Sequence, residues 1–179
     1  MKPKQLTDYL DSYSDVIDSI SVMSMDQTVP FIESSYKGIN FDKVKEEYCK
    51  KHKIKDSQSN DSVISFNGQD YFVEFKSTEN PKSKDLYGKI RDSLLIYIDI
   101  IDEKLSIVRE NLGYILVYKK NIEYYKFSNK IKNLAKDNNS NAHRDVCNIK
   151  KACTGVYFND VQFMSPQEFI NALKNEEKS

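Results

Sequence analysis

The chain has 179 residues, a length that suits one domain with a hydrophobic core of its own. Charged residues make up 30% of it and hydrophobic residues 39%, and no apolar run approaches the ~20 residues that cross a bilayer, so the composition predicts a soluble globular protein rather than a membrane protein. Lys and Arg together number 27, as do Asp and Glu, so no global basic field draws the chain onto nucleic acid.

The cysteines and the first residues indicate the compartment. Three cysteines, an odd number, argue against a disulfide framework. Residues 1–5 lack the apolar core of a signal peptide, so we expect the protein in the cytoplasm. We predict a single domain over residues 1–179, made of an acidic helical segment (1–35), a core (41–120), and an irregular region followed by a strand and a helix (121–179).

An amphipathic helix is predicted over residues 5–25, with an acidic opposite face. Its apolar side chains recur at helical spacing, at Leu6, Tyr9, Leu10, Tyr13, Val16, Ile17 and Ile20. We expect this helix to pack onto the domain; the alternative is that it docks a protein partner or a second copy of the chain as a homodimer. Residues 26–40 contain Pro30 and Gly38 and predict a connection with little regular structure. A second helix is predicted over Phe41–His52.

A β-hairpin is predicted where two β-rich runs, residues 63–66 and 71–75, flank Asn67-Gly68, the strongest short-range hairpin signal. A two-residue turn at this dipeptide places Asp61 directly opposite Glu74. Lys76 then projects from the same face, because side chains alternate along a strand. A longer loop would move Asp61 to the other face and leave it away from Glu74.

Two carboxylates at facing positions repel each other, which makes this hairpin face a candidate site. A divalent cation would relieve the repulsion between Asp61 and Glu74, since Mg²⁺ is commonly held by one or two carboxylates with water and phosphate. The alternative is an ordinary surface ion pair with Lys76, worth ~0–1 kcal/mol. The apolar neighbours of Glu74 and Lys76 in the strand favour a site, because half-buried charges cost free energy.

The rest of the chain predicts a mixed α/β fold. A long, heavily buried helix is expected over residues 83–109, followed by a strand covered on both faces at residues 113–118. Residues 121–155 are hard to interpret, with a possible strand at 122–127 and a short helix at 131–134. Another strand is expected over residues 156–163. Ser165-Pro166-Gln167-Glu168 has the pattern of a capped helix start.

Asp61, followed after a short hairpin by Glu74-Phe75-Lys76, resembles the Asp…(Asp/Glu)-x-Lys motif of the PD-(D/E)XK nuclease superfamily. The resemblance covers roughly residues 41–118, and Asn60 stands where the motif often has proline. It implies a restriction-endonuclease-like three-layer fold, in which helices flank a central mixed sheet and the long helix crosses it. The core over residues 41–120 is then nuclease-like.

The resemblance also implies a metal-dependent phosphodiesterase. The catalytic residues would be Asp61, Glu74 and Lys76. Asp61, Glu74 and the backbone carbonyl of Phe75 would bind Mg²⁺ (or Mn²⁺), and Lys76 would orient the attacking water or stabilise charge on the phosphate. The product would carry a 5′-phosphate, and the partner would be nucleic acid, with DNA favoured over RNA.

Further residues are candidates for the same site. The helix before the hairpin often carries an acidic metal ligand in this superfamily, and the resemblance places it at Asp42, with Glu46 one turn later. Lys89 and Arg91, in the first turns of the long helix, would lie near the scissile phosphate. An ordinary position on the helix surface is the favoured interpretation of both.

Two alternatives remain. His143, Cys147 and Cys153 offer three zinc ligands, but their loose spacing disfavours a structural zinc site. The second functional hypothesis is a non-catalytic binding protein on a nuclease-like scaffold, such as a toxin-immunity protein or an accessory protein of phage defence. Zero net charge favours that hypothesis, whereas the intact set of Asp61, Glu74 and Lys76 favours a nuclease.

Overall fold

A computed structural model describes residues 6, 15–66, 68–120 and 141–176 of the chain. Within these residues the strands are β1 (Ile17–Ser19), β2 (Met25–Asp26), β3 (Val29–Pro30), β4 (Lys37–Asn40), β5 (Ser62–Phe66), β6 (Gln69–Lys76), β7 (Leu112–Tyr118) and β8 (Asp160–Met164). The helices are α1 (Ile20–Met23), α2 (Phe41–His52), α3 (Ser83–Ile101), α4 (Leu105–Asn111), α5 (Asn141–Cys153) and α6 (Pro166–Glu176). None of the described helices is long and apolar enough to cross a membrane.

Six strands form one mixed sheet in the order β1-β4-β5-β6-β7-β8. The first four pair antiparallel, whereas β6, β7 and β8 run parallel to one another. Strands β2 and β3 form a separate two-stranded hairpin. The chain thus leaves β6, crosses through α3 and α4 and returns beside β6 as β7, as parallel pairing requires. The expectation of a mixed α/β fold with helices around a mixed sheet is confirmed.

Hydrophobic cores cover both faces of the sheet. On one face, which we call the α3 face, Phe72 and Tyr114 pack with residues of α2, α3 and α5. On the other face, Val73 and Ile115 pack with residues of α1 and α6. Side chains alternate along a strand, so even-numbered residues of β6, Glu74 among them, lie on the α3 face.

The predicted hairpin is confirmed, with its register. Phe66 pairs with Gln69 and Ser62 with Val73, so the position before Ser62 lies opposite Glu74. Gly68 has a φ of 75°, a left-handed conformation that glycine adopts without steric cost. The two-residue turn therefore places Asp61 on the same face as Glu74, and the longer loop is excluded.

Local signals also predicted other elements correctly. Helix α2 has the predicted bounds, and the Asn40 side chain caps it by accepting a hydrogen bond from the Lys43 N–H at 3.2 Å. Strand β7 is buried along its whole length, as expected of a strand covered on both faces. At α6 the Ser165 N–H donates to the Glu168 carboxylate at 2.7 Å and the Glu168 N–H donates to Ser165 Oγ at 3.3 Å, which is a capping box.

The predicted helix over residues 5–25 is wrong for residues 15–25. They form β1, the single-turn α1 and part of β2, while residues 7–14 lie outside the described chain. A docking surface on one continuous acidic helix is therefore excluded for residues 15–25. Asp18, on the expected acidic face, instead accepts from Asn40 Nδ2 at 2.7 Å and pairs with Lys43 at 3.1 Å.

Three further boundaries differ from the predictions. Residues 26–40, expected to be irregular, contain β3, β4 and the end of β2. The long helix stops at Ile101 rather than residue 109, because Asp102 is left-handed (φ 49°) and α4 begins afresh at Leu105. Strand β8 starts at Asp160 rather than residue 156, and α5 was not predicted. The suggested strand at 122–127 and helix at 131–134 lie outside the described residues.

Ser165→Ala removes the hydroxyl that accepts the Glu168 N–H and should lower the free energy of unfolding by about 1 kcal/mol. Gln167→Ala, in the same turn but exposed, is the matched control and should change stability by less than about 0.5 kcal/mol. Urea denaturation of the two variants measures both. Equal stabilities would contradict a stabilising cap.

Candidate functional site

Asp61 is fixed at the entrance to β5 by the backbone of β6. Its N–H donates to the Val73 carbonyl at 3.1 Å, and its Oδ2 accepts a hydrogen bond from the Phe75 N–H at 2.7 Å. Asp61 lies just before β5 begins, so its carboxylate accepts the Phe75 N–H in place of a backbone carbonyl of β5. This contact holds the Asp61 side chain beside Phe75, the residue that follows Glu74.

Lys89 of α3 joins the two carboxylates. Its Nζ lies 3.1 Å from Asp61 Oδ1 and 2.7 Å from Glu74 Oε1, while Lys76 Nζ lies 2.8 Å from the same Glu74 oxygen. We call these four residues the carboxylate–lysine cluster. The structure thus brings together all three predicted catalytic residues and adds Lys89 between the acids.

The cluster becomes more exposed from Glu74 outwards. The Glu74 side chain is 0% exposed, that of Asp61 14%, and those of Lys89 and Lys76 25% and 29%. Glu74 Oε2 is buried and has no hydrogen-bond partner among the described residues. A buried carboxylate oxygen without a partner costs free energy, which is not what a purely structural ion pair would retain.

Burial governs the protonation of the acids. Burial, reinforced by the Asp61 charge, raises the pKa of Glu74 from 4.5 to about 7, although Lys89 and Lys76 oppose the rise. Burial also raises the pKa of Asp61. Burial alone would lower the pKa of Lys89, but the Glu74 and Asp61 carboxylates outweigh it and raise that pKa above 10.5, so Lys89 remains an ammonium.

Helix α3 also holds the segment that leads into Asp61. One turn after Lys89, Ser93 Oγ accepts from the Asn60 N–H at 2.7 Å, and Asp92 accepts from the Gln58 N–H at 2.9 Å. Ser93 is fully buried. Residues of α3 therefore bind both the Asp61 side chain and the backbone before it, which fixes the cluster geometry.

Helix α2 brings one of its two candidate acids to the site. The Phe41 N–H donates to the Asp61 carbonyl at 3.2 Å, so the first turn of α2 abuts Asp61. Asp42 accepts a hydrogen bond from Ser59 Oγ, and its charge contributes to the raised pKa of Asp61. Glu46, one turn later, is exposed and does not line the cleft described below.

An open cleft of about 470 Å³ lies beside the cluster. Its lining includes Asp42, Asp61 and Lys76, together with Met25 and Phe31 from the segment around the β2–β3 hairpin. Asp61 is thus the acid of the pair that is reached from the cleft. Glu74 does not line the cleft.

Tyr114 is a buried neighbour that the sequence did not suggest. Within the part of the chain that the structure describes, its hydroxyl is buried without a hydrogen-bond partner, and its ring stacks on Phe158 at 5.4 Å. Burial raises its pKa well above 10, and the charges of Glu74 and Asp61 add to the rise. A neutral phenol therefore lies within electrostatic reach of both acids.

Of the two cations considered on the long helix, Lys89 belongs to the cluster and Arg91 does not. Arg91 is exposed, and its Nε donates back to the Tyr87 carbonyl of the same helix at 3.3 Å. The preference for an ordinary surface position was wrong for Lys89. The available signal was its spacing from Leu86 and Ser93, three and four residues away, which places it at the border of the buried stripe.

The oxygen ligands available for a metal are few. Among the described residues, no group of three or more His, Cys, Asp or Glu side chains could hold a metal ion. Any ion at Asp61 and Glu74 would need backbone, water or substrate oxygens as well, which Mg²⁺ commonly uses. The side chain of His143 lies outside the described part, so the zinc alternative keeps only Cys147 and the buried Cys153.

Comparisons with known proteins do not assign the chain to a family. No protein-family model, curated protein or solved structure matched it. The function is therefore inferred from the residues of the chain itself.

The raised pKa of Glu74 predicts how stability depends on pH. The folded-state pKa, about 7, lies above the ordinary 4.5, so the folded state keeps a proton that the unfolded state has lost. Glu74 therefore destabilises the fold progressively as pH rises from about 4.5 to about 7. Glu74→Gln lacks this cost, so its stability relative to wild type should improve between pH 5 and pH 8, by up to about 3 kcal/mol.

Urea denaturation in EDTA at both pH values tests this expectation. Glu79→Gln, at an exposed position in the loop after β6, is the matched control. The compared quantity is the free energy of unfolding of Glu74→Gln minus that of wild type. If it is the same at pH 5 and pH 8, or lower at pH 8, burial does not destabilise the Glu74 carboxylate.

Proposed function

We propose that the chain is a divalent-metal-dependent nuclease that hydrolyses phosphodiester bonds, with DNA as the favoured substrate. The observation that carries the proposal is the fully buried Glu74 with an unpartnered oxygen, held next to Asp61 at the edge of an open cleft. Structural ion pairs rarely leave a buried carboxylate oxygen unsatisfied, whereas functional sites keep such groups.

The order of elements supports a restriction-endonuclease-like fold. An antiparallel hairpin with Asp61 at its start and Glu74-Phe75-Lys76 near its end is followed by a crossover helix and a parallel strand. Helices lie on both faces of the mixed sheet. This is the arrangement that the sequence resemblance implies, and the register places the motif residues on one face.

The donor set fits a hard divalent ion. In the described ranges Glu74 Oε2 has no hydrogen-bond partner, and Asp61 Oδ1 accepts from Lys89. The Phe75 N–H points to Asp61, and the N–H and C=O of a strand residue point to the same side, so the Phe75 carbonyl faces the same edge. Asp61, Glu74 and this carbonyl would hold Mg²⁺ or Mn²⁺, with Asp42 near enough to assist through water.

Each residue then has a role. A bound divalent ion would lower the pKa of a water and polarise the scissile phosphate. Lys76 lines the cleft and pairs with Glu74, and its ammonium would stabilise charge that develops on phosphate oxygens bound there. The Phe75 N–H holds Asp61 in place, and α3 fixes the backbone before it through Ser93. The cleft volume lies within the range of small-ligand pockets and accommodates a nucleotide-sized group.

One observation favours the second functional hypothesis, a non-catalytic binding protein such as an immunity or defence accessory protein. Lys76 and Lys89 supply two positive charges for the two carboxylates of the cluster, so the site is neutral without a metal. Asp26, Asp42 and Asp61 also line the cleft. Surfaces that bind nucleic acid are usually basic, so these carboxylates disfavour a polyanion there. A binding protein needs no metal, so a cluster that is neutral without one is consistent with that hypothesis.

Cleavage assays on plasmid, single-stranded DNA and RNA with Mg²⁺ or Mn²⁺ distinguish the two hypotheses. We expect metal-dependent cleavage of DNA by wild type and a loss of at least about 100-fold in Glu74→Ala and Lys76→Ala. The matched controls are Glu79→Ala and Lys82→Ala, exposed positions just after β6, which should cleave like wild type.

Circular dichroism and thermal melting check that the variants are folded. Absence of cleavage on all three substrates, or cleavage that survives Glu74→Ala, would contradict the nuclease proposal. The binding-protein hypothesis would then be favoured, and it predicts a protein partner that co-purifies with both wild type and Glu74→Ala.

A further inference from the structure

Lys89 lies at the place where a metal ion between the two acids would bind. Its Nζ contacts one oxygen of each carboxylate, Asp61 Oδ1 and Glu74 Oε1, at 3.1 and 2.7 Å. The other Asp61 oxygen, Oδ2, already accepts the Phe75 N–H at 2.7 Å. Oδ1 is therefore the Asp61 oxygen without a backbone hydrogen bond, and an ion that ligates it shares the oxygen that Lys89 contacts.

Charge makes simultaneous occupancy unfavourable. Mg²⁺ sits about 2.0–2.1 Å from its ligand oxygens. An ion on Asp61 Oδ1 would thus lie close to an ammonium that is itself 3.1 Å from that oxygen. The two acids are already neutralised by Lys76 and Lys89, so a divalent ion would leave the buried cluster with a net charge of two. Moving one ammonium away halves that excess.

Lys89 is the cation that contacts both acids, so its departure frees an oxygen of each. Its side chain is 25% exposed and carries a flexible four-carbon stem, so the ammonium can turn to solvent by rotamer changes alone. Helix α3 need not shift, because Ser93 and Asp92 keep it bound to the backbone before Asp61. Glu74, in contrast, is fully buried on β6 and has no such freedom.

We propose that Lys89 is a tethered counter-ion that holds Asp61 and Glu74 together without metal and is displaced when a divalent ion binds. This inference rests on the metal site of the proposed function and adds a regulatory step to it. The ion binds only as Lys89 leaves the two carboxylates, so Lys89 lowers the affinity of the site for metal. In the absence of metal, Lys89 stabilises the fold by pairing with both acids.

The first test compares Mn²⁺ binding by calorimetry in wild type and Lys89→Met at pH 8, above the pKa of about 7 of Glu74. Lys89→Met should bind Mn²⁺ at least about tenfold more tightly, because two positive charges a few ångströms apart repel each other strongly even at the effective dielectric of a protein surface. Lys84→Met is the matched control: Lys84 is exposed on the same helix, outside the cluster, and the variant should bind like wild type. Equal or weaker binding by folded Lys89→Met would overturn the exchange.

A second test needs no substitution. Amine labelling of wild type, read by mass spectrometry, should modify Lys89 slowly in EDTA and at least about fivefold faster with saturating Mn²⁺, because a released ammonium regains the ordinary reactivity of an exposed lysine. Lys84 labelling should not change. Unchanged Lys89 labelling, under conditions where Mn²⁺ raises the melting temperature, would overturn the proposal even if Lys89→Met does not fold.

The outcomes separate this inference from the nuclease proposal. If wild type and Lys89→Met bind Mn²⁺ equally, the exchange is wrong and the nuclease proposal stands. If only Lys89→Met binds, Lys89 blocks the site permanently in wild type, which overturns both the exchange and the nuclease proposal. If neither variant binds, both are overturned.

Discussion

The Glu74 carboxylate is buried in the middle of a six-stranded sheet, and Lys76 and Lys89 supply the positive charge that keeps it there. An uncompensated buried charge would cost several kcal/mol, so the surrounding elements are arranged to supply partners. Strand β6 presents Glu74 and Lys76 to one face, α3 crosses that face with Lys89, and the backbone of β6 binds Asp61. The hairpin and the helix depend on one another through this cluster.

Much of the fold followed from local signals in the sequence. The Asn67-Gly68 turn and the alternating pattern set the register that faces Asp61 to Glu74, and the cap at Ser165 set the start of α6. Residues 15–30 could not be predicted in the same way, because strands of two or three residues are too short to carry a period. Their apolar residues at helical spacing are instead shared between a strand and a single turn of helix.

The site was predictable where its residues share a strand pair and unpredictable where they meet only in the tertiary fold. Asp61, Glu74 and Lys76 follow from one hairpin register. Lys89 is 15 residues from Glu74 along the chain, and only the crossing of α3 over β6 joins them. The unpartnered oxygens of Glu74 and Tyr114 likewise depend on burial from several elements at once. No local sequence pattern encodes how α3 crosses β6, so the ammonium of Lys89 between the two acids was not expected.

The most direct test of the central claim is an anomalous-scattering map from crystals soaked in Mn²⁺. We expect a peak within ligand distance of Asp61, Glu74 and the Phe75 carbonyl, with the Lys89 ammonium turned away from both acids. The contradicting result is a map without a peak at saturating Mn²⁺, in which Lys89 still binds Asp61 and Glu74. The cluster would then be a structural ion-pair network, and the cleft would have to serve a binding partner instead.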